Sequence, residues 1–223
     1  KGLEYIDLIY GSLCNLRCAS CGPISSTQWS TLLKQQEKLP FAWLKPLENT
    51  QPNIEAWKRI PKIIEENISY LDHLNLYGGE PSIDPNFIQL IDQLCDMDIS
   101  SRKDNPIALR IYTNGVWPDN DKLSEKFLAN LHKAKAKGWK VDLKFSIDAV
   151  GSNAEYIRHP TKWDNLDKHL DMMVEEGFTD QVHITTSLLN LPVQHEIFHY
   201  FAEKSYRDKV RPIPNLANRQ IGR

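Results

Sequence analysis

From residue 72 to residue 204, apolar, β-branched runs alternate with amphipathic helical stretches, and nothing else in the chain restricts the fold as strongly. Strands separated by helices are parallel and joined by right-handed crossovers, because a parallel neighbour is reached only by carrying the chain back across the sheet. The pattern predicts strands over 72–77, 107–112, 140–147 and 181–187, and helices over 85–98, 121–137, 163–176 and 192–204. A first strand is expected over 3–10 and a sixth near 210–213. Between these, Ser25 or Ser26 is placed to cap a helix running towards Lys38. Pro40, Pro46 and Pro52 mark an irregular excursion over 39–53, and Pro61 is expected to kink or restart a helix over 54–69.

Length limits how far this alternation can run. A complete eight-unit barrel takes about 250 residues, and this chain has 223, some of them spent on the excursion. The expected fold is therefore α/β: a partial (β/α)6 TIM-like barrel of parallel strands over 1–214, with a C-terminal tail over 215–223 that also reads as the start of a missing extension. A doubly wound sheet is the rival. A formal charge of -2 argues against a protein held on nucleic acid by a general basic field. A mean hydropathy of -0.48 and the lack of a long uncharged apolar run exclude a membrane-spanning helix, and a cytoplasmic location is the expectation.

The chain has 4 cysteines, too few for a disulfide scaffold. Cys14, Cys18 and Cys21 form a CxxxCxxC loop directly after the first strand. Three thiolates on one short loop can converge on a soft metal centre, and a 4Fe-4S cluster held by three leaves one iron open to a small molecule. A structural zinc site closed by a histidine or by Cys95, and cysteines that are simply buried, are the competing readings. Cys95 itself lies in a helical run, where a small buried hydrophobe is the usual role. After the second strand comes Gly78-Gly79-Glu80-Pro81. Its glycines allow a close backbone approach, and Glu80 can accept hydrogen bonds from an ammonium group. An ordinary strand-to-helix turn uses the same residues.

With CNLRCASC after the first strand and LYGGEP after the second, the chain resembles the radical S-adenosylmethionine (SAM) superfamily. The resemblance continues through Thr113-Asn114-Gly115, Ser146-Ile147-Asp148, Tyr156-Ile157-Arg158 and the run 187–190, and the stretch from Cys21 to Trp29 looks most like the SPASM/twitch branch. It implies that Cys14, Cys18 and Cys21 hold a 4Fe-4S cluster whose fourth iron chelates SAM. Gly78, Gly79 and Glu80 would line the methionine amino group, while Asn114, Ser146 and Arg158 would reach the ribose and carboxylate. Reductive cleavage of SAM would then give a 5′-deoxyadenosyl radical that abstracts a substrate hydrogen. An electron donor such as flavodoxin or ferredoxin is implied, with a peptide or protein side chain as the first substrate class and a nucleotide or other small metabolite as the second. Two positions depart from the family pattern: Ser20 stands before the last cysteine where a large side chain is common, and Ala149 follows Asp148 where Gly is usual.

The residues lie at the carboxyl ends of predicted strands, the face on which parallel α/β proteins bind ligands. Two rivals remain. A non-catalytic module could use the same cysteines for a structural metal. His195-Glu196-Ile197-Phe198-His199 matches HExxH, the pattern of a zinc hydrolase, although Ala202 stands where the extended motif wants Gly, no Glu follows Glu203, and chance produces HExxH far more readily than the cysteine and GGEP pair. The basic run Lys133, Lys135, Lys137 and Lys140 beside Trp139 reads as a solvated face, and Phe41 and Trp43 in the excursion as either a lid or external packing.

Overall fold

The computed structural model describes residues 2–36 and 54–216; the excursion over 39–53, with its lid reading, and residues 217–223 lie outside them. In chain order the elements are β1 (Tyr5–Ile9), β2 (Arg17–Cys18), α1 (Thr27–Lys34), α2 (Ile54–Asn67), β3 (His73–Tyr77), α3 (Pro85–Asp96), β4 (Ala108–Thr113) and α4 (Lys122–Lys137). They continue with β5 (Lys140–Ser146), α5 (Gly151–Ile157), β6 (Arg158–His159), α6 (Trp163–Glu175), β7 (Gln181–Thr186), α7 (Gln194–Glu203) and β8 (Arg211–Leu216).

Six strands form one parallel sheet in the spatial order β1-β3-β4-β5-β7-β8. Spatial order equals chain order, so every crossover steps in the same direction. A doubly wound sheet needs a reversal, and none occurs. The sheet is the expected partial barrel, open between β1 and β8.

Period-2 alternation divides the sheet into two faces. Leu74, Leu76, Leu109, Ile111, Leu143, Phe145, Val182 and Ile184 are fully buried, and they join one core with Phe87, Ile91 and Leu94 of α3, Phe127 and Leu131 of α4, and Leu166 and Leu170 of α6. The other face is polar: Asn75 donates to Asp7 at 2.7 Å, Lys144 bridges Asp142 and Asp180, and Tyr77 stacks on Tyr112 with ring centroids 4.5 Å apart.

Local chemistry sets the element ends. Asp84 caps α3 by accepting from the N–H groups of Asn86 and Phe87, with Pro85 as the first helical residue. Asp121 caps α4 through Leu123 and Ser124, and Gly138 ends that helix at φ +106°. Ser26 does occupy the first position before α1, but its hydroxyl donates to Leu16 O instead of capping the helix. Helix α2 continues through Pro61 without restarting; Trp57, Ile60 and Ile64 pack on the core, and that burial outweighs the backbone bond the proline removes. The last strand carries Pro212 and Pro214, which an edge strand tolerates because one side needs no ladder donors. It runs to Leu216, so the sheet extends two residues past the expected boundary at 214.

Candidate functional site

The loop after β1 and the turn after β3 are zipped together by main-chain bonds, Gly79 N–H to Gly11 O at 2.9 Å and Glu80 N–H to Leu13 O at 2.7 Å. A Cβ on Gly79 would lie 1.9 Å from Leu13 O, and one on Gly78, at φ +148°, 2.7 Å from Gly11 O. The close approach these glycines permit is thus first of all to the cysteine loop itself.

Glu80 is completely buried and faces inward. It accepts from Thr113 Oγ1 at 2.8 Å, from Asn114 N–H at 2.7 Å and from Ser82 N–H at 3.3 Å. Burial pushes its carboxyl up from the ordinary range, against these three donors. Each oxygen has at least one donor, so the side chain ties the ends of β3 and β4 together. Asn114 in turn donates to Asn15 Oδ1 at 2.8 Å and approaches Cys14 Sγ at 3.8 Å.

The cysteine loop is pinned from several sides. Trp29 Nε1–H donates to Cys18 O at 3.0 Å, Thr27 Oγ1 accepts from Cys14 N–H at 3.2 Å, and Ala19 N–H reaches Ile157 O at 2.7 Å. All four cysteines are free thiols. Burial raises Cys14 to about 11. Cys18 and Cys21 share a hydrogen bond that raises the first thiol and lowers the second. Cys95 stands apart in the core, its Sγ 3.6 Å from Asn130 O.

Arg158 belongs to β6, which pairs antiparallel with β2 so that Arg158 sits opposite Cys18. Its side chain is buried, with Nη1 donating to Asp148 Oδ2 at 2.8 Å and Nε without a partner. Burial works against its charge, but Cys18, Asp148 and Cys21 more than offset this, and its pKa stays above the ordinary value. Asp148 is a hub: besides Arg158 it accepts from Thr185 N–H at 2.8 Å, and its carbonyl accepts from Asn190 at 2.9 Å. Ser146 ends β5 on the same rim, opposite His183 of β7.

The strand ends therefore bring Asn114 to Cys14, Glu80 to Asn114 and Arg158 to Cys18, whereas Ser146 shares only the rim. Sequence reasoning missed Asp148, Asn15 and Thr113 as parts of the arrangement. Asp148 and Thr113 lie inside motifs already singled out, and the signal available was their adjacency to Ser146 and Asn114. On α7, His195 and His199 are exposed with ring centroids 6.1 Å apart, and Glu196 accepts from Asn153 at 3.1 Å. Among the described residues no three His, Cys, Asp or Glu side chains enclose a single metal ion. A polynuclear cluster sets a different requirement, since each cysteine binds its own iron and the thiols need to share a face, not a point.

The fold has relatives among solved structures. Streptococcus suis SuiB bound to S-adenosylmethionine superimposes with a TM-score of 0.57 at 15% identity, covering 96% of this chain and 40% of that one. SuiB bound to the precursor peptide SuiA matches with a TM-score of 0.52 at 15% identity, over 94% of this chain and 38% of that one. The chain thus spans about two fifths of the length of these neighbours. A search of curated proteins finds no significant match. A family profile described as Radical SAM superfamily matches residues 8–200, and with that match over most of its length the chain belongs to the radical SAM superfamily.

Proposed function

We propose that this chain is the catalytic core of a SPASM/twitch-like radical SAM enzyme that holds a 4Fe-4S cluster on Cys14, Cys18 and Cys21 and acts on a peptide or protein side chain. The observation that carries the reading is the meeting of three thiols with Asn114 and Arg158, drawn from separate strand ends, on one rim of the sheet. The chemistry such a cluster supplies when bound is one-electron cleavage of SAM to methionine and a 5′-deoxyadenosyl radical. A flavodoxin or ferredoxin suits the role of electron donor. A cytoplasmic setting fits this chemistry, and no helix among the described residues is long and apolar enough to cross a membrane.

The residues fit such a group. The loop offers three free thiols, the Cys21 thiol lowered by its bond with Cys18, beside a buried cation that opposes the negative charge of sulfur ligands. Beside Glu80, whose Oε2 has a single donor, the carbonyls of Gly78 and Gly79 are further acceptors on the GGEP turn for an ammonium group, and they receive no hydrogen bond among the described residues. Arg158 brings one unpartnered N–H and a fixed positive charge towards an anionic ligand. Asn114 and Ser146 supply hydrogen-bonding side chains on the same rim. The peptide class is favoured by SuiB, whose structure with the precursor peptide SuiA shares this fold; a small molecule is the second class.

Anaerobic reconstitution with iron and sulfide tests the ligand assignment. The wild-type chain should hold about four irons with matching acid-labile sulfide, and Cys14→Ala, Cys18→Ala and Cys21→Ala should each abolish this. Uptake of zinc alone, with no iron-sulfur cluster, would contradict it.

A further inference from the structure

A cavity opens at the opposite rim of the sheet. Strand β5 pairs with β4 along 140–145, but with β7 only from Lys144 onwards. The amino-terminal half of β5 thus lacks a β-ladder partner on one side, and the polar interior of the partial barrel opens there into a cavity of about 810 Å³. That volume suits a small organic ligand. Asp72, Ala108 and Lys140 at strand starts line it, and it extends inward to Arg110, Tyr112 and His183. The cysteine loop leaves the other end of strands five to seven residues long, about 15–20 Å away.

Charge pairing within the cavity is lopsided. Lys144 consumes two carboxylates, Asp142 at 2.5 Å and Asp180 at 2.9 Å. The third, Asp72, is held at 2.5 Å by Arg102 from outside the cavity lining. Arg110 is left with one ion contact, Nε to Asp142 at 4.0 Å, and its terminal nitrogens have no hydrogen-bond partner among the described residues. Lys140 and Lys209, both exposed, have no ion pair among the described residues. Of the basic run read from sequence, Lys133 is spent on Asp92 and Asp96, and Lys135 on Glu176 O, while Lys140 faces this cavity. Four lining residues also hold buried polar atoms without partners: His73 Nδ1, Asp142 Oδ1, Thr179 Oγ1 and His183 Nε2. Atoms of this kind in native proteins ordinarily have a partner, water or ligand.

We propose that this amino-terminal rim is a binding site for a small organic anion, separate from the cysteine loop. A carboxylate or phosphate head matches the planar fork of Arg110, supported by Lys140. Hydroxyl or amino groups on the same molecule match Asp142, Thr179 and the two histidines, so the ligand class is a hydroxylated or amino-bearing carboxylate or phosphate ester. The proposal does not rest on the cluster, and its test needs none.

Citrate and ribose 5-phosphate, titrated at fixed ionic strength and followed by calorimetry, represent the two head groups. At least one should bind saturably, and which one does identifies the head group. Arg110→Gln and the surface change Lys140→Gln should each weaken it at least tenfold, and saturating SAM should leave it unaffected. Failure of both probes to saturate, unchanged affinity in both variants, or displacement by SAM would overturn the proposal.

Discussion

Cys18 and Arg158 face each other across the two-residue ladder of β2 and β6, and the guanidinium that this pairing buries is held by Asp148 at 2.8 Å. The ladder ties the cysteine loop to the end of α5, and the ion pair fixes both to the β5 rim. Arg158→Gln leaves a buried carboxylate without its cation, a change that costs about 3–5 kcal/mol. Urea unfolding should show that loss, and Arg158→Gln with Asp148→Asn, which removes the stranded charge and keeps an acceptor for Thr185 N–H, should restore part of it. A single-variant change below about 1 kcal/mol would mean that the pair is not buried as described.

Gly79 should tolerate no side chain. Its Cβ would meet Leu13 O at 1.9 Å, backbone against backbone, while Gly22 has open space around it. Gly79→Ala is expected to cost about 3 kcal/mol through overpacking and Gly22→Ala close to nothing, compared by thermal melting. Equal melting temperatures would contradict the zipped loops.

Glu80→Ala strips an acceptor from Thr113, Asn114 and Ser82 in a fully buried place. Stranded donors cost about 1–3 kcal/mol apiece, so the apo protein should lose stability before any ligand is added. A variant as stable as wild type would show that Glu80 does not tie the ends of β3 and β4 together.

Acid should weaken the fold through His169. This side chain is buried, bonds Gly115 O at 2.9 Å and stacks on Trp117, and burial lowers its pKa from 6.5 against the pull of that bond. A base held neutral in the native state binds fewer protons than in the unfolded chain, so its contribution is complete above 6.5 and lost as pH falls through the depressed native value. Stability measured between about pH 7.5 and 5 should therefore fall more steeply in the wild type than in His169→Gln. Parallel profiles would show that His169 is not the group responsible.

The alternation of strands and helices was legible because every crossover buries an apolar face, and so leaves a periodic trace. Strand order did not follow from the alternation, since a doubly wound sheet shows the same pattern, and the absence of a reversal emerged only in the sheet itself. The ladder of β2 and β6 left no periodic trace, since two residues cannot show a period, and α5 is short, with two buried apolar residues, Ala154 and Ile157. The cysteine spacing identified a loop able to bind a cluster, because ligand spacing is local. What Glu80 and Arg158 touch was not legible, since their partners Asn114 and Cys18 lie 34 and 140 residues away in the chain. Spacing also gave no sign of the amino-rim cavity, which arises from the offset register of β5 and β7.

The central claim is that the thiols on this rim support radical cleavage of SAM. Chain reconstituted with iron and sulfide under anaerobic conditions, then given SAM and dithionite, should release 5′-deoxyadenosine and methionine in equal amounts, and the Cys18→Ala chain should release neither. Intact SAM after incubation with wild-type chain that carries a full complement of iron and sulfide would contradict the account.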